Sequence, residues 1–271
     1  MEYKALYRFT KTEYFIEMLK DIRYEKSPEH KDKSLDDFYL PLRLYPFKYM
    51  SDPTDGQWGI YPIIIGLHQY AEKNNVEDKM HEFLSSYDKL QWKDDFCYMS
   101  SWSTKSDKYM WENFAQYCHG VRFCICYNRM EDIVKKQNCQ ISPCAYVSAE
   151  NYYAKYKAQI ESLHNVADGE PRSYFISILE FCKWAKHTNY SKEAEVRIIK
   201  NTDADAVPLI DDKDNKYLEI LIPLTAMSVT FGCRADFDEK LKEIKDILKD
   251  KMGEKLCDEY VYRGNLDTMK S

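Results

Sequence analysis

Tyr217-Leu218-Glu219-Ile220-Leu221-Ile222 and Met227-Ser228-Val229-Thr230-Phe231 are separated only by Pro223–Ala226, and Asp236–Lys249 follows soon after. The first two stretches read as strands. In the third, Phe237, Leu241, Ile244 and Leu248 share one helical face, and Asp236 with Glu239 makes a capping-box-like start. Two strands in succession followed by a long helix is not a strand–helix alternation. Upstream the pattern is similar. Tyr3–Phe9, Phe96–Ser103, Gly120–Tyr127, Ile141–Val147 and Ala194–Ile199 read as strands, with an extended piece at Ile22–Tyr24. Helices are expected from Thr10 or Thr12 to Lys20, and over Ile60–Asn74, Val76–Trp92, Lys108–Tyr117, Arg129–Gln137, Asn151–His164 and Pro171–Lys186. Gly120 is the expected stop of the Lys108–Tyr117 helix. Ser27–Gly59 reads as a long ordered loop, long enough to hint at embedded short elements. Tyr260–Tyr262 is expected to close the sheet. Helices in blocks indicate an α+β fold: a mixed, largely antiparallel sheet, open to being split, surrounded by helices. With no linker or repeat, residues 1–271 read as a single domain with a helical insert at about 60–92.

Composition removes several function classes. The 271 residues contain only 8 Gly, where ordinary usage gives about 19. None of them forms a G-x-G-x-x-G turn or a phosphate-binding P-loop, so two common nucleotide folds are excluded. The nine cysteines are odd in number and sit mainly inside apolar patterns, as in Phe123-Cys124-Ile125-Cys126-Tyr127. They read as reduced core residues, and no metal is expected. The formal charge is −6, with Lys and Arg scattered, so bulk non-specific nucleic-acid binding is not expected. No membrane-length apolar run and no secretory signal is present, which makes a cytoplasmic location the expectation and no membrane a partner.

Four clusters have residues suited to chemistry. In Leu6-Tyr7-Arg8-Phe9, strand alternation sets Arg8 opposite Tyr7 and Phe9. Arg8 is either solvated or a bidentate clamp for phosphate or carboxylate. Ser100-Ser101-Trp102-Ser103 puts the Ser101 and Ser103 hydroxyls on one face. They form a turn or cap, or they bind a sugar or amide with Trp102 as a stacking wall. Tyr109-Met110-Trp111, Phe114 and Tyr117 have the spacing of a core face, and His119 ends that segment either as a satisfied polar residue or lining a cleft. In Glu193-Ala194-Glu195-Val196-Arg197, strand geometry gives Glu193, Glu195 and Arg197 one face. That row is a solvated ladder or a polar site in which Arg197 holds one carboxylate ionised.

Taken in order, Leu6–Phe9, Ser51-Asp52-Pro53, Ser101–Ser103, Met110-Trp111-x-x-Phe114-Ala115…His119-Gly120 and Lys183-Trp184…Glu193-x-Glu195-x-Arg197 resemble the bacterial domain-of-unknown-function family twenty-nine seventy-one. The likeness runs from about Leu6 to Leu248. The chain departs from the family at Ser51-Asp52-Pro53-Thr54, where Asn-Asp-Pro-Phe is usual. A more distant likeness is to ADP-ribosyltransferases, which carry an Arg or His on the first strand, a Ser-x-Ser strand and a later Glu, often in E-x-E. That resemblance implies NAD as a substrate. It also implies Glu195 as the carboxylate that stabilises oxocarbenium character at the ribose, with Glu193 facing the acceptor. Arg8 would bind the pyrophosphate or adenosine ribose, and Ser101 or Ser103 would hold the nicotinamide ribose or orient Glu195. Trp102, Trp111 or Tyr109 would stack on the nicotinamide, with His119 near the cleft.

The expectation that follows is an ADP-ribosyltransferase-like enzyme acting on a protein or nucleic-acid acceptor, as a bacterial toxin or phage-defence effector does. Two other readings stand beside it. One is a non-catalytic binding or sensing module, motivated by 12 Phe, 5 Trp and 23 Tyr. The other is a metal-dependent hydrolase or nuclease using Asp52, Glu193 and Glu195.

Overall fold

A computed structural model describes residues 4–49, 68–69, 72–73, 97–148, 151, 182–201, 207–211, 213–234, 236–262 and 266–268. Asp52, nearly all of the insert at about 60–92, nearly all of the expected helix at Asn151–His164 and residues 171–181 of the expected helix at Pro171–Lys186 lie outside them. The described elements are β1 (Ala5–Thr10), α1 (Thr12–Lys20), β2 (Arg23–Tyr24), β3 (Phe38–Pro46), β4 (Cys97–Ser103), α2 (Lys108–Phe114), β5 (Val121–Cys126) and α3 (Tyr127–Lys135). They continue with β6 (Gln140–Pro143), β7 (Ala145–Val147), β8 (Ala185–His187), β9 (Glu195–Asn201), β10 (Leu209–Ile210), β11 (Lys216–Pro223), β12 (Met227–Phe231), α4 (Phe237–Met252), α5 (Glu254–Tyr262) and β13 (Leu266–Thr268). No helix among the described residues is long and apolar enough to cross a membrane.

The fold is α+β, with a largely antiparallel sheet. Its strand path is β10-β11-β3-β4-β1-β5-β12-β13, with β2 on β3, β9 on β4 and β6 on β9; β7 and β8 form a separate parallel pair. One junction positions the site. β9 occupies one edge of β4 along its whole length, from Cys97↔Asn201 to Ser103↔Glu195. The other edge is shared. β3 pairs there at Tyr45↔Met99 and Pro46↔Tyr98, and β1 pairs only at Tyr7↔Ser103. Between these contacts, at Ser100–Trp102, β1 and β3 part and the sheet is split.

One face of the sheet is the main core. Leu6, Leu40, Leu42, Leu44, Trp102, Phe123, Ile125, Val196, Ile198, Ile220 and Val229 are buried there, with Phe15 and Ile16 of α1 and Ile244 and Leu248 of α4 packed into the same cluster. Burying a side chain of this size contributes roughly 1.5–3 kcal/mol, which holds the helices to the sheet.

Several expectations need correction. The segment Ser27–Gly59 contains β3, a nine-residue strand. Phe38, Leu40, Leu42 and Leu44 recur every second residue and are buried, and Pro41 and Pro46 sit within a strand that still pairs with β11. Upstream, the loop is ordered by the buried Asp37 carboxylate, which accepts from the Ser27 and Ser34 amides and faces His30 Nδ1 at 2.7 Å. Ile141–Val147 is two strands broken at Cys144, one on β9 and one on β8. The expected helix to Lys186 gives way to β8, whose register with β7 carries Lys186. Asp236 makes no side-chain cap. Tyr260–Tyr262 ends the helix α5, and β13 closes the sheet edge, parallel to β12.

Gly120 does not act as the stop of α2. The helix ends at Phe114, and Gln116, Tyr117 and Cys118 all adopt positive φ in a left-handed turn. Gly120 serves a close approach instead: a Cβ there would lie 2.2 Å from the Thr10 carbonyl oxygen. A Cβ at Gly232 would lie 2.1 Å from the carbonyl oxygen of Cys118. Both obstacles are backbone and cannot rotate away. Gly232→Ala is therefore expected to cost roughly 1–3 kcal/mol or more, read as a lower urea midpoint at unchanged slope. A wild-type midpoint would mean that the 118 turn moves freely from β12.

Candidate active site

The split opens onto a cleft of about 240 Å³ lined by residues from several elements. β4 supplies Met99, Ser101 and Ser103. Because Tyr45 lies opposite Met99 and Glu195 lies opposite Ser103, β3 and β9 present Tyr45 and Glu195 on that same face. Tyr7 and Phe9 of β1, Met110 and Phe114 of α2, and Lys186 and Glu193 complete the lining.

Glu195 is the best-held charge in the cleft. It is 3% exposed. Ser101 Oγ donates to its Oε1 at 2.6 Å, Arg197 Nε donates to Oε1 at 2.9 Å, and Lys186 Nζ donates to Oε2 at 2.7 Å. Its own amide donates to the Tyr146 hydroxyl at 2.6 Å. Burial alone would raise the carboxyl pKa, but Arg197 and Lys186 outweigh it and hold the group well below the usual range. Arg197 is fully buried; its Nη1 donates to the Lys183 carbonyl at 2.7 Å, and its guanidinium lies over the Phe47 ring at 5.5 Å.

Glu193 reaches the site by another route than the one expected. It is the last residue of a 3-10 turn, and Ala194 is left-handed with φ 44°, so β9 begins only at Glu195. Glu193, Glu195 and Arg197 are therefore not a row on one strand. The two carboxylates meet instead through Lys186, whose Nζ is 2.6 Å from Glu193 Oε2. Ser103 serves this turn by donating to the Glu193 carbonyl at 2.6 Å.

Arg8 belongs to the core-side face. Its register neighbours lie on that side, its guanidinium donates to Ser100 Oγ, which shares the face with Tyr98 and Trp102, and it lines the cleft at the split. Among the described residues it makes no ion pair. Burial pushes its pKa down to about 10, with Tyr45 acting in the other direction. A cation held with only a neutral hydroxyl is costly, and an anionic ligand would relieve that cost. Close by, Trp102 Nε1 is buried without a hydrogen-bond partner.

The remaining expected site residues divide. Trp102 is 3% exposed and packs on the core side with Val196 and Ile198, so it borders the cleft from below and is not an open stacking wall. Trp111 is 2% exposed, edge-on to Phe9 at 5.2 Å, and its ring is covered by Arg122 at 5.8 Å. Strand and helix periodicity put both indoles inside, which corrects their expected stacking role. Tyr109 lies close to Glu193 but does not line the cleft, and Lys192 sits over its ring at 5.9 Å. His119 is exposed, does not line the cleft, and contributes its carbonyl to the Thr12 hydroxyl at 2.9 Å. Phe114, expected in the core, is 37% exposed and lines the cleft.

Sequence reading missed Arg43, Tyr45, Tyr146 and Lys186. The first two had a signal in the alternation of β3. Lys186 had none, because only the β7–β8 pairing turns it toward the acids. Among the described residues no three His, Cys, Asp or Glu side chains are grouped to hold a metal ion.

Residues 110–198 match the model of the family described as "Protein of unknown function (DUF2971)". That stretch contains the Met110–Gly120 and Lys183–Arg197 blocks, so the family resemblance read from those motifs is supported over these residues. No curated protein and no solved structure matches the chain.

Proposed function

We propose that the split-sheet cleft cleaves NAD and transfers its ADP-ribosyl group to a macromolecular target, as bacterial toxins and phage-defence effectors of the ADP-ribosyltransferase type do. One observation carries this reading: Arg8, Ser101 and Glu195, from three separate strands, line the same cleft. The residues suit the ligand. Arg8, which makes no ion pair among the described residues, takes the pyrophosphate charge. A cleft of about 240 Å³ accepts the ribosyl–nicotinamide end and leaves the rest of the dinucleotide toward Arg43 and Tyr45. Cleavage of the N-glycosidic bond builds positive charge on the ribose. A carboxylate kept ionised in a partly dry site stabilises that charge more than it would in water. Ser101 holds Glu195 Oε1 in place, and Lys186 with Arg197 keeps the proton off.

The metal-dependent reading fits less well. Lys186 already occupies the space between the two carboxylates that a divalent ion would need.

The test is incubation of purified protein with NAD, following free nicotinamide and label transferred to a bacterial lysate. Arg8→Met is expected to raise the KM for NAD about tenfold or more while kcat changes less, the scale of one lost charged hydrogen bond. Absence of nicotinamide release together with absence of NAD binding would remove the proposal.

A further inference from the structure

We propose that the acceptor is an uncharged nucleophile, a hydroxyl or a ring nitrogen, and that Lys186 makes the cleft refuse cationic acceptors; this rests on the NAD-cleaving reading of the same cleft. A carboxylate recruits a guanidinium or ammonium acceptor by being open and unpaired. Neither acid here is. Lys186 Nζ lies 2.6 Å from Glu193 and 2.7 Å from Glu195, and these side chains are only 7%, 13% and 3% exposed. Arg197 takes the other oxygen of Glu195. The remaining lining charges, Arg8 and Arg43, are positive.

Two aromatic rings beside Lys186 and Glu193 are engaged in the same way. Tyr190 is covered by Lys186 at 5.1 Å and Tyr109 by Lys192 at 5.9 Å. These rings are already taken by the chain's own cations and cannot recruit a foreign one. A second cation would meet the like charge of Lys186 and Arg8, which disfavours its approach. An uncharged nucleophile meets no such barrier.

The transfer balances without a redox partner. The C1′–N bond breaks and its electron pair leaves on neutral nicotinamide. The acceptor lone pair forms the new bond to C1′, and the acceptor proton passes to Glu193 and on to water. Lys186 is a positioning residue here, fixing both carboxylates.

The experiment compares wild type, Lys186→Met and Lys186→Arg. Each is given labelled NAD with agmatine, a serine-containing peptide or a single-stranded oligonucleotide. Wild type is expected to label the peptide or the oligonucleotide, which identifies the source of the nucleophile, and to leave agmatine unlabelled; release with water as acceptor also counts for the proposal. Lys186→Met is expected to shift the agmatine-to-uncharged ratio by roughly tenfold or more toward agmatine, and Lys186→Arg to restore the wild-type preference. Labelling of agmatine by wild type, or an unchanged ratio in Lys186→Met, overturns the proposal. Titration of agmatine without NAD separates the two readings. Heat of binding in Lys186→Met and none in wild type supports the charge argument; binding by wild type overturns it. Absence of nicotinamide release would instead strike the NAD reading.

Discussion

Glu195→Gln is expected to lower nicotinamide release by about 10²–10³-fold, the effect of removing one preorganised electrostatic contact to a transition state. The amide is isosteric, so its oxygen can still accept from Ser101 and Arg197, while its NH2 replaces the oxygen that accepted from Lys186. What goes is the negative charge facing the ribose. The variant can fold because the two cations retain partners: Lys186 stays with Glu193, and Arg197 keeps the Lys183 carbonyl. Circular dichroism and the thermal midpoint check that point. On the proposed reading NAD affinity is expected to change little, because Arg8 would carry the phosphate contact. Release within threefold of wild type would show that Glu195 is not beside the reacting carbon, and would turn attention to Glu193.

Arg197→Met is expected to cost about 3–5 kcal/mol, the penalty of breaking a buried ion pair by removing one partner. That is a large part of an ordinary domain's total of about 5–15 kcal/mol. Arg197 is fully buried, and its loss leaves the Lys183 carbonyl without this donor and Glu195 with Lys186 as its remaining cation. The pH dependence follows from the depressed carboxyl. A group whose pKa is lower in the folded state stabilises above its ordinary value, here 4.5, and that contribution disappears as pH falls through the folded value. The gap between wild type and Arg197→Met in urea midpoint is therefore widest near neutral pH and narrows below 4.5. A gap independent of pH would mean that Arg197 contributes packing alone.

Much of the architecture was legible in the chain. The strands at Ala5–Thr10, Cys97–Ser103, Val121–Cys126, Lys216–Pro223 and Met227–Phe231 follow from apolar runs of strand length or period two, within a residue or two. The helices α1, α3 and α4 follow from their periodic buried faces. Errors came where local chemistry was outvoted. Prolines at 41 and 46 disguised β3, which its pairing with β11 stabilises regardless. The α2 helix stops without glycine, because the contact between the 118 turn and β12 selects that backbone.

The site divides the same way. Residue types and their order, Arg8 then Ser101 and Ser103 then Glu193 and Glu195, are properties of the sequence, and so is the side of the strand on which Arg8, Ser101, Ser103 and Glu195 fall. Three-dimensional folding decided the rest. The shared edge of β4 opens the sheet so that Arg8, on the core face, reaches the same cleft as Glu195 on the other. The left-handed Ala194 and the β7–β8 pairing bring Lys186 between two acids whose sequence spacing suggested a simple ladder. Alternation along a strand is local and therefore readable, whereas ion pairing between segments depends on which edges meet, a property of the whole sheet.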